Sequence, residues 1–393
     1  MRITCLIDYL VSGGAQRQLC TLAVFLQRQG HEVTVLTYHP DDFFLPMLRE
    51  AGVEYRCLPR RTKLRRVWTL RRELRRGKQD VVLAFLRGGC LYAELAALPW
   101  RRWGLVVSER SAVPGSHRAR LPWRRWMHRT ADYVVTNSHT NRLMLEHAVP
   151  ALQGRVVTIY NAVDFERFSP GPPDETRTSN RLRLAVAALH DRHKNALGLI
   201  EAVALARAGM PKCDITVDWH GYEPRHLHEA KKPTPLQEAR DLIAKRGMQN
   251  CFRLHPDTTD VPGLFRRSDA VVLPSFYEGL PNSICEAMSC GRPVLASRVS
   301  DAGNLIADGE NGFLFDPHSP TEMADSIVNL ARLSVMEREA MGICGRRRAE
   351  TLFRPESVLA KYVEVLTAAA ERRQTPIMHW IDAVPSTAHH ALT

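Results

Sequence analysis

The chain contains 393 residues, of which 45% are hydrophobic and 24% are charged. This composition is typical of a folded globular protein and excludes collagen, coiled coil and disorder as the main state. A domain usually holds about 100–200 residues, so the length predicts at least two domains. No run of about 18 apolar residues occurs, so the sequence predicts no transmembrane helix.

The charge is unevenly distributed along the chain. Lys and Arg number 54, against 42 Asp and Glu, which gives a net charge of +12. Residues 1–150 hold 25 basic and 12 acidic side chains, a net of +13, whereas residues 151–393 hold 29 and 30, a net of −1. The segment 60–78 alone carries +9. Such a basic block favours a phosphate-rich partner, either an anionic membrane or a nucleic acid.

Cysteine usage and the N-terminal sequence bear on the cellular compartment. The nine cysteines include no C-x-x-C pair, so they indicate neither a disulfide framework nor a zinc motif. Reduced thiols are typical of cytosolic proteins. The sequence MRITCLIDYL has too few apolar residues for a signal peptide and precedes no cleavage site. We therefore expect a cytoplasmic protein, peripheral on the inner face of the cell membrane.

The first half alternates short β-branched runs with helical stretches, the pattern of a doubly wound α/β domain. Strands are predicted at Arg2–Tyr9, Glu32–Thr37, Val53–Cys57, Asp80–Phe85, Gly104–Ser108, Tyr133–Thr136 and Val156–Ile159. Helices are predicted at Ala15–Gln29, Val67–Arg76, Leu91–Leu98, Trp123–Thr130 and Thr140–His147.

The same alternation resumes at Arg183, after a segment rich in proline and threonine. Strands are predicted at Leu184–Leu189, Ile215–His220, Cys251–Leu254, Ala270–Leu273 and Pro293–Ala296. Helices are predicted at Asn195–Ala208, Pro320–Leu333, Val335–Thr351 and Glu356–Arg372.

These patterns predict two Rossmann-like domains, with a basic first domain of residues 1–168 and a second of residues 182–355, joined by a linker of residues 169–181. Residues 356–373 are predicted to form a C-terminal helix that packs back toward the first domain, and residues 374–393 a loose tail. Ligands are expected in a cleft where the carboxyl ends of the two parallel sheets face each other.

The segment Pro274–Ser297 is the richest in candidate functional residues. An apolar strand runs into a loop that carries Glu278, and Asn282 is predicted to cap a short helix that stops at Gly291. The backbone N–H groups of residues 282–284 are then expected to be available for a phosphate.

Two further features of the sequence each admit two interpretations. Glu286 follows Glu278 by eight positions, so the two carboxylates can hold different parts of a ligand. The plainer alternative is an acid that complements the helix dipole and a solvated glutamate. Gly13 and Gly14 allow close backbone approach to a phosphate, or they form a plain tight turn. They do not form the G-x-G-x-x-G fingerprint, which disfavours a nicotinamide enzyme.

Five segments share the order and the strand–loop–helix context of a known enzyme family. They are Ser12-Gly13-Gly14-Ala15-Gln16, Ile159–Asp164 with Phe168-Ser169-Pro170, His193-Lys194-Asn195, the run from Glu278 to Val294, and Asp308–Phe313. This set resembles the retaining glycosyltransferases of family 4, which have the GT-B architecture, and the resemblance spans about residues 2–370.

The resemblance implies a nucleotide-diphosphate sugar as donor and a role for each matching residue. Glu278 is expected to contact the transferred hexosyl or N-acetylhexosaminyl group, and Glu286 the ribose hydroxyls. Lys194 is expected to neutralise the departing diphosphate, where a fixed cation lowers the barrier. The remaining donor-binding candidates are Gly13, Gly14, Gly279, Leu280, Pro281, Asn282 and Ser283.

The sequence departs from the family pattern at two informative places. The family often has an arginine about five residues before the lysine, where this chain has Leu189, and Arg192 is the neighbouring candidate for that role. A frequent histidine at the end of a central strand is replaced by Ser108-Glu109-Arg110-Ser111. This variant resembles the subset that acts on lipid-linked bacterial glycans, so Glu109 and Arg110 are acceptor-side candidates.

Retention of configuration requires either a front-side attack or a covalent intermediate. Glycosidases that retain configuration use two opposed carboxylates, and the sequence offers no convincing second carboxylate at the sugar. We therefore expect front-side displacement in which the leaving phosphate takes the acceptor proton. The histidines, His389-His390 included, lack the spacing of a ligand set, so we expect no metal and no cofactor.

The predicted helix Pro122–Arg129 sorts its residues onto two faces. The aromatic face holds Trp123 and Trp126, and the opposite face holds Arg124, Arg125, His128 and Arg129. This profile is typical of an interfacial helix with tryptophan at headgroup depth. The alternative is an ordinary helix whose tryptophan face packs on the sheet.

Two hypotheses about function follow. The first is a glycosyltransferase that acts on a polyprenyl-diphosphate-linked saccharide in cell-surface polysaccharide biosynthesis and reaches the anionic membrane through residues 60–129. The second is a catalytically silent basic protein that binds membrane or nucleic acid through the same residues. No nucleic-acid-binding module is recognisable, so we expect no nucleic acid partner.

Overall fold

The computed structural model describes residues 1–11, 13–41, 43–58, 62–110, 122–172, 174, 176–223 and 233–372. These residues form two compact units. The first comprises Met1–Ala162 together with the segment that begins at Pro355, and the second comprises Val163–Arg354. The predicted tail of residues 374–393 lies outside the described residues.

The first unit is built on a parallel sheet. Its strands are β1 (Arg2–Leu6), β2 (Glu32–Thr37), β3 (Glu54–Cys57), β4 (Val81–Phe85), β5 (Gly104–Glu109), β6 (Tyr133–Thr136) and β7 (Val156–Thr158). They stand in the order β3-β2-β1-β4-β5-β6-β7. Because the chain crosses from β3 at one edge to β4 beside β1, the sheet has a topological switch point between β1 and β4.

Helices connect these strands, and the sheet buries both of its faces. The helices are α1 (Gly14–Arg28), α2 (Leu45–Glu50), α3 (Lys63–Arg76), α4 (Leu86–Ala97), α5 (Pro122–Met127) and α6 (His139–Ala148). In β4, Val81, Leu83 and Phe85 pack into one buried cluster, whereas Val82 and Ala84 pack into another. This alternation follows from the period of two along a strand and explains the continuous apolar run.

The second unit repeats this architecture with a smaller parallel sheet. Its strands are β8 (Arg181–Ala187), β9 (Asp214–His220), β10 (Phe252–His255), β11 (Ala270–Leu273), β12 (Val294–Ser297) and β13 (Gly312–Phe315). They stand in the order β10-β9-β8-β11-β12-β13, so the switch point lies between β8 and β11.

The helices of the second unit follow the same chain order. They are α7 (Ala196–Gly209), α8 (Pro235–Lys245), α9 (Val261–Arg267), α10 (Asn282–Ser289), α11 (Ala302–Leu305), α12 (Pro320–Arg332) and α13 (Val335–Phe353). Most of them pack on the apolar faces of the sheet, and Trp219 in β9 is among the largest fully buried side chains.

The last helix, α14 (Pro355–Ala370), belongs to the first unit. Its residues Val358, Tyr362 and Val365 lie in the same buried cluster as the inward side chains of β1 and β4. A side chain at Gly104, where β5 begins, would clash with the backbone of Ala369, so glycine is required for this close approach.

The boundaries between the units differ from the predicted ones. The backbone N–H of Val163 donates to the carbonyl of Phe353 at 3.1 Å, so the second unit begins here, before the predicted boundary at residue 168. Arg177, within the predicted linker 169–181, donates from Nη2 to the carbonyls of Arg266 and Ser268 at 2.9 and 3.0 Å. The described residues of that segment are therefore part of the second unit.

The predicted fold class is confirmed, and most predicted strands and long helices agree with the structure within a few residues. The sequence patterns missed α2, α8, α9, α11 and β13. Of these, α2, α9 and α11 span only one or two turns, which is too short for a helical period to be recognised. The motif Asp308–Phe313 was predicted only as a turn, and in the structure it leads into β13.

The sequence predicts neither a membrane-spanning helix nor a disulfide framework, and both predictions concern features visible in the described part of the chain. Within it, no helix is long and apolar enough to span a membrane. All nine cysteines are described, and each is a free thiol.

Candidate functional site

The loops that follow β8 and β11 flank the switch point of the second sheet, the place where ligands bind in folds of this kind. Lys194 ends a 3₁₀ turn in the first loop, and Glu278 lies in the second. Lys194 Nζ donates to Glu278 Oε1 at 2.5 Å, and the two side chains are 14% and 13% exposed. The structure thus joins two predicted site residues that lie 84 positions apart.

Asn195 fixes the backbone beside this ion pair. Its φ of 58° is in the left-handed region, which asparagine tolerates better than most residues. Its side-chain oxygen accepts from Gly198 N at 3.2 Å and so caps α7. Its Nδ2 donates to the carbonyls of Pro274 and Pro317 at 3.1 and 2.8 Å, which ties the lysine loop to the glutamate loop.

His193 makes the second connection between the two loops. Its carbonyl accepts from Phe276 N at 2.8 Å, and its ring stacks on that of Tyr277 with 5.0 Å between centroids. His193 Nδ1 lies 2.9 Å from Asp191 Oδ1, which orients the ring. Lys194 and Glu278 are therefore presented by backbone segments that hold each other in place.

The helix after Glu278 differs in detail from the prediction. Asn282 is the first residue of α10 and Pro281 occupies the N-cap position, so Asn282 is not the cap. Ile284 N donates to Pro281 O at 3.1 Å and is not available to a ligand, contrary to the prediction. Gly291 has φ 66°, as expected for a residue that ends a helix. Glu286 lies one turn inside α10 and is partly exposed.

The loop of residues 279–281 is anchored from two sides. Leu280 and Pro281 are buried, and the carbonyl of Gly279 accepts a hydrogen bond from Ser300 Oγ. Ser300 has a φ of 51°, a strained conformation for serine, in the loop after β12. Backbone strain of this kind clusters at functional sites. The structure therefore brings Gly279, Leu280 and Pro281 together at the amino end of α10.

Arg192 is not brought to this group, contrary to the expectation that it joins the catalytic residues. Its Nη2 donates to Glu238 Oε1 at 2.6 Å and to the carbonyl of Pro233 at 3.0 Å, both at the start of α8. Its side chain is 54% exposed. A turn of the 3₁₀ type points successive side chains in different directions, which separates Arg192 from Lys194.

The predicted residues Gly13 and Gly14 lie in the first unit. Gly13 is the N-cap of α1, and its carbonyl accepts from Arg17 N at 3.0 Å. Its backbone is extended, with φ −173°, so its conformation alone does not require glycine.

A group of residues at the switch point of the first sheet was not predicted from the sequence. Asp8 follows β1, and a side chain at Gly88, just after β4, would overlap the Asp8 carboxylate. Burial raises the pKa of Asp8, while the Gly88 N–H and the charges of His39, Arg66 and Arg124 oppose that shift. Leu86, directly after β4, has a φ of 65°. A lone aspartate after a strand gave no signal in the sequence.

The acceptor-side candidates Glu109 and Arg110 have different surroundings. Arg110 Nη1 donates to Tyr362 Oη at 3.1 Å, and its guanidinium lies over the Phe85 ring, 4.7 Å from the centroid. Its Nη2 donates to Asn161 Oδ1. Arg110 therefore holds α14 against the sheet. Glu109, at the end of β5, lies instead beside a buried histidine.

That histidine is His128, which the wheel of the predicted helix placed on the polar face. In the structure α5 ends at Met127, and His128 turns inward in a 3₁₀ turn. Its Nδ1 is 2.5 Å from Glu94 Oε1, and its Nε2 is 3.5 Å from Glu109 Oε2. Burial opposes the charge of His128, but the carboxylates of Glu109 and Glu94 outweigh burial and raise its pKa to about 9.

This pKa predicts that stability depends on pH. A histidine whose pKa rises from 6.5 to about 9 on folding stabilises the protein fully below pH 6.5, and the effect is lost as pH rises through about 9. The loss is on the order of 3 kcal/mol. Urea unfolding should show it in the wild type but not in the Glu94→Gln/His128→Gln double variant. Equal pH dependence in both proteins would contradict the assignment.

Exposed tryptophans are grouped in the first unit. Trp123 and Trp126 are 49% and 54% exposed, so their face of α5 does not pack on the sheet. Trp68 and Trp100 are exposed as well. Each ring has a guanidinium over it, from Arg124, Arg129, Arg72 and Arg75 respectively, with 4.4–6.0 Å to the ring centroid. We call these four pairs the tryptophan–arginine surface.

Across the residues that the structure describes, no three His, Cys, Asp or Glu side chains gather as a metal site would require.

Two family models match successive parts of the chain. The model for Glycosyltransferase Family 4 matches residues 12–167, and the model for Glycosyl transferases group 1 matches residues 180–332. The first match lies mainly in the first unit, and the second lies in the second unit.

Curated relatives and a solved structure agree with this result. The D-inositol 3-phosphate glycosyltransferase of Arthrobacter sp. (strain FB24) is 33% identical over 195 residues, 45% of this chain and 44% of the relative. That of Paenarthrobacter aurescens (strain TC1) is 40% identical over 196 residues, 48% and 46% respectively. The chain thus spans about half the length of these relatives.

The crystal structure of Anabaena HepE in complex with UDP superposes with a TM-score of 0.80, at 20% identity, over 94% of this chain and 100% of that one. The two parallel-sheet units of this protein have the GT-B fold.

Proposed function

We propose that this protein is a retaining glycosyltransferase. It transfers a hexosyl or N-acetylhexosaminyl group from a nucleotide-diphosphate donor to a membrane-associated, polyprenyl-diphosphate-linked saccharide in cell-surface glycan biosynthesis. The observation that carries this proposal is the Lys194–Glu278 pair at the switch point of the second sheet. HepE, which shares the fold, binds UDP, and this supports a uridine nucleotide as the donor.

Donor binding is proposed to rearrange the ion pair. In the structure Glu278 holds Lys194 at 2.5 Å, in the loop that leads into α10. With donor bound, the ammonium group turns to the diphosphate, and the carboxylate accepts hydrogen bonds from the sugar hydroxyls. The N–H groups around Gly279–Ser283 hold the diphosphate at the helix N-terminus. Lys194 then stabilises the charge that develops on the leaving group.

The composition of this pair favours front-side displacement. A retaining glycosidase needs two carboxyl groups about 5–5.5 Å apart, one of which attacks the sugar. Here the side chain paired with Glu278 is an ammonium group rather than a second carboxylate, and with donor bound the Glu278 carboxylate accepts hydrogen bonds from the sugar hydroxyls instead of attacking the sugar. The acceptor oxygen then attacks from the side of the leaving phosphate, which takes the proton. This scheme assigns no step to a metal or cofactor.

The proposed acceptor and location rest on the first unit. The tryptophan–arginine surface combines exposed indoles with guanidinium groups, the chemistry that suits the headgroup region of an anionic bilayer. The basic excess of the chain lies in the same unit. We infer that the enzyme is peripheral on the cytoplasmic face of the membrane, where it meets a lipid-linked acceptor.

A second candidate acceptor comes from the relatives. Their name gives them D-inositol 3-phosphate as acceptor, a small phosphorylated polyol without a lipid. Both acceptor classes carry phosphate near the accepting sugar or polyol, so the charge of the first unit suits either.

A donor panel followed by an acceptor panel tests the proposal. Purified protein in EDTA should hydrolyse one uridine-diphosphate sugar slowly, and the rate should rise when undecaprenyl-diphosphate N-acetylglucosamine is supplied in vesicles. A greater rise with inositol 3-phosphate would favour the second candidate. Neither binding of UDP nor turnover of any nucleotide sugar would contradict the enzyme assignment and favour the catalytically silent alternative.

Membrane binding is tested by removing two indoles. The Trp123→Ala/Trp126→Ala variant should bind vesicles of phosphatidylcholine and phosphatidylglycerol about tenfold more weakly in co-sedimentation, because the exposed rings enter the interface. Met336→Ala removes an exposed apolar side chain of the second unit and serves as the control. Equal binding by both variants, or binding unaffected by omitting phosphatidylglycerol, would refute this part of the proposal.

A further inference from the structure

A buried ion-pair network connects three elements of the first unit. Glu94 comes from α4, His128 from the 3₁₀ turn after α5, and Glu109 from the end of β5. The His128 ring nitrogens lie 2.5 Å from Glu94 Oε1 and 3.5 Å from Glu109 Oε2. The side chains of His128 and Glu94 are 6% and 1% exposed, whereas that of Glu109 is 17% exposed. Glu109 is thus the member that a ligand can reach.

The geometry sets the protonation state of the ring. A neutral imidazole offers one donor and one acceptor nitrogen, so it can serve only one of two flanking carboxylates. With a carboxylate at each nitrogen, both must be donors, and His128 is an imidazolium. A buried network of this kind is stable only if every member is satisfied. His128 is therefore one of the groups that orient Glu109.

The same short stretch of chain carries two exposed tryptophans. Trp123 and Trp126 stand on α5, and the 3₁₀ turn with His128 begins directly after it. Ala131 N donates to His128 O at 3.0 Å, and Thr130 Oγ1 donates to Met127 O at 2.8 Å, which fixes the turn. A shift of α5 at a bilayer would therefore be transmitted to the ring of His128.

We propose that His128 is a positioning residue that links the tryptophan-bearing helix to the acceptor site. Its ring holds the Glu109 carboxylate in the orientation in which that carboxylate accepts hydrogen bonds from the acceptor's sugar hydroxyls. This inference rests on the proposed function, because it takes Glu109 as an acceptor-side residue. It adds a reason for the membrane contact: the helix that touches lipid also orients the group that binds the lipid-linked saccharide.

Other charged groups surround the network and influence the pH at which His128 loses its proton. Glu94 faces the ring from α4 and Glu109 from β5. Arg124 of α5 acts electrostatically on Glu94 and on Asp8, which follows β1. The thiol of Cys90, also on α4, has its pKa raised by burial and by both carboxylates and stays neutral. The imidazolium is therefore the member of this group that loses its charge near pH 9.

Kinetics of the full-length His128→Gln variant test the proposal. The donor is the uridine-diphosphate sugar that the wild type hydrolyses, and the acceptor probe is undecaprenyl-diphosphate N-acetylglucosamine in vesicles. We expect the acceptor KM to rise about tenfold, since a charged hydrogen-bonded pair is lost. Donor hydrolysis without acceptor should stay within about twofold of wild type. Wild-type kcat/KM for the acceptor should fall as pH rises through about 9, and the variant should lack this fall.

A purely structural role gives a different result. In that case His128→Gln would lower donor hydrolysis and transfer in equal proportion and leave the shape of the pH profile unchanged, and the proposal would be overturned. If this variant does not fold, Glu109→Gln replaces it, because the His128–Glu94 pair remains intact. Glu109→Gln should raise the acceptor KM and remove the alkaline fall while vesicle binding stays at the wild-type level.

An NMR titration separates this inference from the proposed function. In wild type the His128 ring should titrate near pH 9, and in Glu109→Gln at a clearly lower pH. An unchanged titration would overturn the inference even for an active enzyme. Conversely, a wild type that binds UDP but transfers to no lipid-linked acceptor would refute the proposed acceptor, and with it the role of His128 in acceptor binding.

Discussion

Replacing Lys194 with alanine is expected to lower kcat about 100- to 1,000-fold, the cost of removing one preorganised charge at a developing anion. The two loops that present Lys194 and Glu278 bind each other, so once the ammonium group has turned to the diphosphate it requires little reorganisation when the diphosphate departs. The KM for the donor should change much less, because the leaving group is more negative in the transition state than in the ground state. Steady-state hydrolysis and transfer assays measure both quantities.

Arg192 provides a matched comparison, since it is a basic residue two positions away on the same 3₁₀ turn. Its guanidinium binds Glu238 and Pro233 O rather than the Lys194–Glu278 pair. Arg192→Ala should therefore leave kcat within about twofold of wild type. A larger loss for Arg192→Ala than for Lys194→Ala would mean that the loop rearranges on binding and that the arrangement described here is not the catalytic one.

Replacing Glu286 with alanine is expected to weaken UDP binding about 10- to 100-fold. A carboxylate that accepts hydrogen bonds from two ribose hydroxyls contributes about 1.5–3 kcal/mol, and each 1.4 kcal/mol or so is tenfold in Kd. Because the ribose interactions are the same in ground and transition states, kcat should fall far less than the affinity does. Titration calorimetry with UDP measures the affinity directly.

The control for this variant is an exposed acid of the same unit, Glu310, in the turn before β13. Glu310→Ala removes the same charge from the unit and should leave the Kd for UDP within about twofold of wild type. If Glu310→Ala weakens binding as much as Glu286→Ala does, general electrostatics rather than a ribose contact would explain the effect.

In the second unit, the strands and the glutamate loop were predictable from the sequence, whereas the contacts within the site were not. The apolar strands and the glutamate loop were recognisable, because buried parallel strands form continuous hydrophobic runs and a capped helix has clear end signals. The assignment of Lys194 and Glu278 to one donor site followed only from a family resemblance, and their direct contact was not predicted, since nothing local indicates that residues 84 positions apart will touch. The separation of Arg192 from the pair depends on a single 3₁₀ turn, which leaves no periodic signature.

The first unit shows where sequence patterns mislead. A helical wheel placed His128 with the arginines on a solvated face, but α5 ends one residue earlier and the ring turns inward to Glu94. A helical wheel assumes that the helix continues, whereas the residue at which a helix ends depends also on tertiary contacts with neighbouring elements. Glu94 gave no signal either, because a single glutamate in a helix is usually solvated. Asp8 became recognisable only when the strand order placed it beside Gly88.

The uneven charge along the chain corresponds to a difference between the two units. The basic excess lies in the unit that carries four exposed tryptophans, each with a guanidinium over its ring. Indoles and guanidinium groups together suit a lipid headgroup layer, whereas nucleic acid binding would call for a recognisable base-binding surface. The charge is thus consistent with the membrane-side acceptor that we propose.

The stereochemistry of the reaction distinguishes retention from inversion at the Lys194–Glu278 site. A uridine-diphosphate α-sugar is incubated with the enzyme, and proton NMR records the anomeric signal of the first product before the anomers equilibrate. Retaining front-side displacement at the Lys194–Glu278 site predicts an α product, and the signal should disappear with Lys194→Ala. A β product, or an α product formed equally fast by Lys194→Ala, would contradict the account.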